Sequence, residues 1–146
     1  MTDRKPLPGK LAFSRDLFVL LFLLRGMPFV DLAFLRRCDL QGNVITYHRR
    51  KTSRKLTVVV GKEAMEIIQK YMYAIPDSPY LFPIIQNPGK DEYGQYARML
   101  RLQNYRLTQV ANILGIRDRL STYTARHTWA TTALRQNYNS SLICDA

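Results

Sequence analysis

The chain has 146 residues, 47% of them apolar, and carries 22 Lys and Arg against 11 Asp and Glu, a formal net charge of +11. That apolar content suffices for one domain with a core and excludes intrinsic disorder, which couples high charge to few apolar residues. The longest apolar run, Leu17–Leu24, is eight residues, where a membrane span needs about 20. Met1–Lys10 is too polar and proline-rich for a signal peptide, and Cys38 and Cys144 are too few for a disulfide framework and lack metal-ligand spacing. A soluble, intracellular, basic domain is expected, and such a domain meets a polyanion.

In chain order, residues 1–12 read as a tail or linker and 13–146 as the folded unit. Ser14–Arg25 is apolar nearly all round and reads as a buried helix stopped by Gly26. Pro28 suits the first turn of a second helix, Phe29–Arg37. Gly42-Asn43 is a turn signal. Val44–Arg49 and Leu56–Val60, joined by Lys51–Lys55, read as an antiparallel hairpin with a basic tip. Lys62–Tyr73 is helical, Pro76–Gly89 is a loop around the apolar insert Tyr80–Ile85, and Glu92–Leu114 is a long helix closed by Gly115. Thr122 is the expected N-cap of a helix over Tyr123–Gln136. A further helix begins at Leu142-Ile143. The expected fold class is therefore mainly α with a small antiparallel β-hairpin (α+β).

The charge is uneven. Residues 36–62 hold eight basic residues (Arg36, Arg37, Arg49, Arg50, Lys51, Arg54, Lys55, Lys62) against Asp39 alone, and residues 98–146 hold seven Arg against two Asp. Residues 63–97 between them are net acidic. The C-terminal block uses Arg only, and the guanidinium fork fits phosphate oxygens. A one-sided electrostatic footprint is expected.

Four stretches carry a resemblance. Tyr123-Thr-Ala-Arg126-His127-Thr-Trp-Ala130 resembles the second-arginine motif of the tyrosine recombinase (phage integrase) family. Asp31-Leu-Ala-Phe-Leu-Arg36-Arg-Cys-Asp39 is similar to its acidic-Leu-x-x-Leu-Arg-x-x-Asp stretch, Arg50-Lys51-Thr52-Ser53 to its hairpin lysine motif, and Tyr80-Leu-Phe-Pro83 to a segment after the next helix. Their order runs from Asp16 to Ala146, and Arg25-Gly-Met-Pro-Phe-Val-Asp31 adds a similarity to integrases of Bacteroides-type mobile elements.

The resemblance implies a recombinase catalytic-domain fold and DNA strand cleavage and rejoining through a 3′-phosphotyrosyl link. Duplex DNA and other protomers in a synaptic complex are the implied partners, with no cofactor, metal, membrane or small-molecule substrate, in the bacterial nucleoid. Arginines stabilise the charge on the non-bridging oxygens, and a lysine supplies a proton to the leaving oxygen. By position Arg126 is the second arginine, Lys51 the hairpin lysine, and Tyr123 stands where the family has His. Tyr123 can donate a hydrogen bond to phosphate but carries no positive charge. The first arginine falls on Pro28. Arg25 is the candidate to fill that place, and the alternative is that this arginine is missing. Arg49, Arg50, Arg54, Lys55 and His127 are expected to contact the DNA backbone.

No tyrosine stands where the family places its nucleophile. Tyr138 follows Arg126 too closely, in a polar loop. The expectation is a partial catalytic domain, without the nucleophile segment and the separate N-terminal core-binding domain, that binds DNA without cutting it. Two alternatives remain open: a recombinase-like DNA-binding regulator, and a basic RNA-binding helical domain.

Overall fold

A computed structural model of the chain describes residues 7–135. The first helix, α1 (Gly9–Leu23), is apolar on almost every side, and Leu17, Leu20 and Leu21 lose all exposure. It therefore runs through the centre, with three later helices packed against it. Its start corrects the sequence reading, because residues 9–12 are helical and not tail. Pro8 stands at the N-cap, where its missing N–H costs nothing, and its carbonyl accepts the Ala12 N–H at 2.8 Å. At the other end Gly26 has φ +70° and donates its N–H to the Leu21 carbonyl at 2.9 Å, the left-handed stop expected of it.

The second helix, α2 (Phe29–Ala33), is shorter than expected. The chain leaves it because Leu35–Arg37 pairs with the Pro79–Leu81 loop: Leu81 N–H donates to Leu35 O at 2.8 Å and Arg37 N–H to Pro79 O at 2.9 Å. A 3₁₀ turn (Arg37–Asp39) follows. A two-residue strand, β1 (Leu40–Gln41), was not anticipated, since so short a strand leaves no periodic signal. It extends the expected hairpin, β2 (Val44–His48) and β3 (Lys55–Val59), into an antiparallel sheet of order β1-β2-β3. Ile45, Tyr47, Val58 and Val60 face the core, while His48 and Val59 face out.

Helix α3 (Lys62–Tyr71) ends two residues early. The Arg37 guanidinium caps that end by donating to the carbonyls of Met72 (2.9 Å), Ile75 (2.6 Å) and Pro76 (2.9 Å). The loop beyond buries Tyr80, Leu81, Phe82, Ile84 and Ile85. Helix α4 (Glu92–Leu114) has the expected bounds. The Asp91 carboxylate accepts the Gly94 N–H at one end, and Gly115 (φ +71°) closes the other. Buried Gln103 fixes its crossing with α1 by donating to the Ser14 carbonyl at 2.8 Å. Helix α5 (Thr122–Arg135) is capped by Ser121 rather than Thr122, in a reciprocal box. The Ser121 hydroxyl accepts the Thr124 N–H (3.3 Å), and the Thr124 hydroxyl accepts the Ser121 N–H (2.8 Å). The side chain of Trp129, Tyr138 and the helix expected from Leu142 lie outside the described residues.

Among the described residues, no helix is long and apolar enough to cross a membrane, and no group of His, Cys, Asp or Glu is arranged to hold a metal ion.

Candidate functional site

The site lies where α5, the turn after α1, α2 and the base of the hairpin meet. Ala125 is fully buried, and this seats the first half of α5 on α1. The next residue, Arg126, is half-buried and donates from Nη1 to the Gly26 carbonyl at 2.7 Å. The two backbones are so close here that a Cβ on Gly26 would stand 3.2 Å from Arg126 Cα. The left-handed turn thus serves two ends: it stops α1, and it gives the Arg126 guanidinium a fixed acceptor.

Asp31 on α2 is the second fixed point. It is 3% exposed, and its Oδ1 accepts the Arg50 backbone N–H at 3.0 Å, which ties the hairpin base to α2. Its Oδ2 is buried and accepts no hydrogen bond. Burial raises its pKa above the ordinary aspartate value. The Arg50 N–H and the charges of Arg49, Arg50 and Arg126 offset this only in part. Tyr47, on the same strand as the hairpin base, is pushed up to about 12, by burial first and then by the Asp31 charge.

Arg49 leaves the end of β2 with its N–H donating to Arg54 O at 2.8 Å. Its charge acts on Asp31, Tyr47 and Arg126 alike. Burial, then Arg49, loosens the Arg126 proton, while Tyr47, Asp31 and Tyr123 hold it. Guanidinium remains cationic throughout the working pH range. The corner therefore gathers two guanidinium groups from residues 77 apart in sequence, against one buried carboxylate with a spare oxygen. Unbound, such a pair repels; an anion between the forks would relieve the repulsion.

The remaining expected residues fall around this corner. Lys51 is exposed at the hairpin turn and makes no hydrogen bond or ion pair to a described residue. The turn is held by Ser53 (φ +60°), whose N–H donates to Arg49 O, and by the Thr52 hydroxyl, which accepts the Arg54 N–H at 3.3 Å. Arg50 lies over the Phe34 ring with its guanidinium carbon 4.0 Å from the centroid, which packs it on the protein. With Asp31, Asp39, Tyr47 and His48 it lines a cleft of about 170 Å³. Lys55 is exposed at the start of β3, opposite His48.

Tyr123 is 72% exposed and stacks on exposed His127, with the rings 6.4 Å apart and 15° from parallel. Both are exposed on α5, Tyr123 about one turn before Arg126 and His127 directly after it. Arg25 is exposed with φ +64°; its backbone N–H donates to the Phe22 carbonyl at 3.2 Å, and its side chain makes no hydrogen bond or ion pair to a described residue. It adjoins Gly26, so its backbone stands at the corner, but the arginine whose charge acts on both Arg126 and Asp31 is Arg49. Sequence reasoning placed Arg49 among the backbone contacts and gave Asp31 only a place in a motif. Nothing local in the sequence shows that β2 ends beside α5.

No family model and no curated protein matches the chain. Seven solved chains do match in structure. One is the crystal structure of XerA recombinase, with TM-score 0.59 and 17% identity, over 98% of this chain and 55% of that one. The chain spans about half the length of that structure. With its helical layer, three-stranded antiparallel sheet and this match, the chain has a recombinase-like α+β fold.

Proposed function

We propose that the chain is the DNA-gripping part of a site-specific tyrosine recombinase catalytic domain, of the type carried by Bacteroides-like mobile elements. It binds duplex DNA and forms no covalent link to DNA by itself. The observation that carries this reading is the corner itself. Arg126 is anchored on Gly26 and set beside Arg49, with the Lys51 turn rising from the same hairpin.

In this reading the paired forks hold the two non-bridging oxygens of one phosphodiester and stabilise the added charge of its transition state. Arg49 supplies the fork that Pro28 cannot, and Arg25 contacts the flanking backbone. Lys51 delivers a proton to the 5′-oxygen as the P–O bond breaks, and Tyr123 donates a hydrogen bond to a phosphate oxygen. Arg50, Arg54, Lys55 and His127 neutralise neighbouring phosphates. A tyrosine outside this constellation supplies the attacking oxygen. Tyr47 is buried, Tyr71 donates to Asp16 and Tyr80 to Glu92, so these three are already engaged.

Binding to a labelled duplex, followed by incubation with a nicked substrate that traps covalent intermediates, tests both halves. Expected are a steeply salt-dependent affinity and no protein–DNA adduct. A failure to bind duplex at about 50 mM salt would overturn the first half, and a trapped adduct the second.

A further inference from the structure

The sheet ends in an open edge. In the order β1-β2-β3, strand β2 is paired on both sides, and β3 is paired with β2 alone. Two hydrogen bonds at the ends of that pairing fix its phase: Arg49 N–H to Arg54 O at 2.8 Å, and Val60 N–H to Asn43 O at 2.7 Å. Antiparallel pairs alternate, so Arg54, Leu56, Val58 and Val60 turn their backbone groups to β2, and Lys55, Thr57 and Val59 turn theirs away. The N–H and C=O groups of those three make no hydrogen bond to a described residue. Their side chains are also the exposed ones of the strand.

A sheet edge that must stay single is blunted by a proline, a bulge, a very short strand or charges along it. Strand β3 has five residues in unbroken register, no proline, and a charge only at its first position, Lys55. Its last residue, Val59, keeps 70% of its surface exposed and is the most exposed aliphatic side chain among the described residues.

We infer that β3 pairs antiparallel with β3 of a second copy of this chain, about a twofold axis at Thr57. The strand is self-complementary in that register. Thr57 faces the partner's Thr57 and Lys55 faces the partner's Val59, so no like charges meet within the paired strands. Each facing pair exchanges both its N–H···O bonds, because these are the residues whose backbone groups point outward. The antiparallel sense carries the two basic hairpin tips to opposite ends of the pairing. A five-residue strand spans roughly 17 Å, beyond the screening length of roughly 8 Å at physiological salt, so repulsion between the tips is small. Each tip instead comes to the start of the partner's α3, where Glu63 and Glu66 are exposed. One shared strand edge is smaller than a standard interface, so the association is weak and concentration-dependent. It uses neither Arg49 nor Arg126 and needs no nucleic acid, so it stands or falls apart from the DNA-binding reading.

Sedimentation equilibrium of the full chain, freed of nucleic acid and run over a wide concentration range, should show monomer and dimer in exchange. Thr57→Pro should weaken the dimer roughly tenfold or more, and it leaves the β2–β3 pairing intact because the Thr57 N–H points away from β2. Circular dichroism checks the fold. Two cysteine variants carry the test should that one unfold, each in a Cys38→Ser, Cys144→Ser background with oxidised glutathione as oxidant. Thr57→Cys should give a disulfide-linked dimer, since hydrogen-bonded antiparallel partners stand about 5.5 Å apart at Cα, within disulfide reach. Val59→Cys should not, because in this register the partner's Val59 lies roughly 14 Å away along the strand. Amide hydrogen exchange decides the occupant: protection at Lys55, Thr57 and Val59 should rise with protein concentration. The inference is overturned by a monomer at every concentration, by a dimer that folded Thr57→Pro leaves unchanged, or by Val59→Cys cross-linking as fast as Thr57→Cys. Protection of those amides that is independent of concentration assigns the edge to another segment of the same chain and overturns the choice of a second copy.

Discussion

Asp16 and Asp31 are two buried aspartates, 5% and 3% exposed, and the protein treats them in opposite ways. Asp16, on α1, is fully served: Arg15 and Lys70 pair with it at 3.1 and 3.0 Å, and the Tyr71 hydroxyl donates to it. Burial pulls its pKa up, and those three donors outweigh it, so the carboxyl ionises more readily than usual. Asp31 has one backbone donor, and burial wins. The first arrangement is closed and clamps α3 to α1. The second is left open among cations, which is where a ligand's charge can be accommodated.

The largest effect should come from breaking the closed site. Asp16→Ala removes the carboxylate that Arg15, Lys70 and Tyr71 share and should cost about 3 kcal/mol in urea unfolding. Because the clamp is remote from the corner, duplex affinity of the folded variant should stay within twofold. Next comes Gly26→Ala, which places a Cβ 3.2 Å from Arg126 Cα at φ +70°. A loss of about 2 kcal/mol is expected, together with weaker duplex binding because α5 is displaced. A smaller effect is expected at the open site. Asp31→Asn keeps an acceptor for the Arg50 N–H and removes a poorly served charge, so stability should change by less than about 1 kcal/mol.

The two aspartates should also separate in their pH dependence. Asp16 has a lowered folded pKa, so its contribution is present above the unfolded value and is lost as pH falls through the lower folded one. Asp31 has a raised folded pKa, so its contribution is present below the unfolded value and is lost as pH rises through the folded one. Below about pH 4, Asp16→Asn should therefore flatten the rise of stability with pH, and above about pH 4 Asp31→Asn should remove a fall and so steepen the net rise. Parallel pH profiles for the two variants would remove the contrast between the sites.

How much of this was legible in the sequence follows the range of each signal. Helix α4 was read to the residue, because its periodicity is long and its stop, Gly115, is local; the Asp91 cap emerges only in the structure. The hairpin was read to within one residue for the same reason. The start of α1 was missed because Pro8 reads as a breaker, when as an N-cap it needs no N–H. The early end of α2 was missed because it depends on pairing with a loop some 45 residues away. At the site, the motif singled out Arg126 and Lys51, but the neighbour of Arg126 is decided by where β2 ends in space. That placement moves Arg49 into the corner.

The central claim is that Arg49 and Arg126 together grip one phosphate. Binding of a single labelled duplex across a salt series, by wild type, Arg49→Ala, Arg126→Ala and the double variant, tests it most directly. Each single change should lower the slope of log affinity against log salt by about 0.9, and the double variant should lose little more, because both forks serve one contact. Slopes equal to wild type in both single variants, or a double variant that loses the sum of the two, would contradict a shared grip.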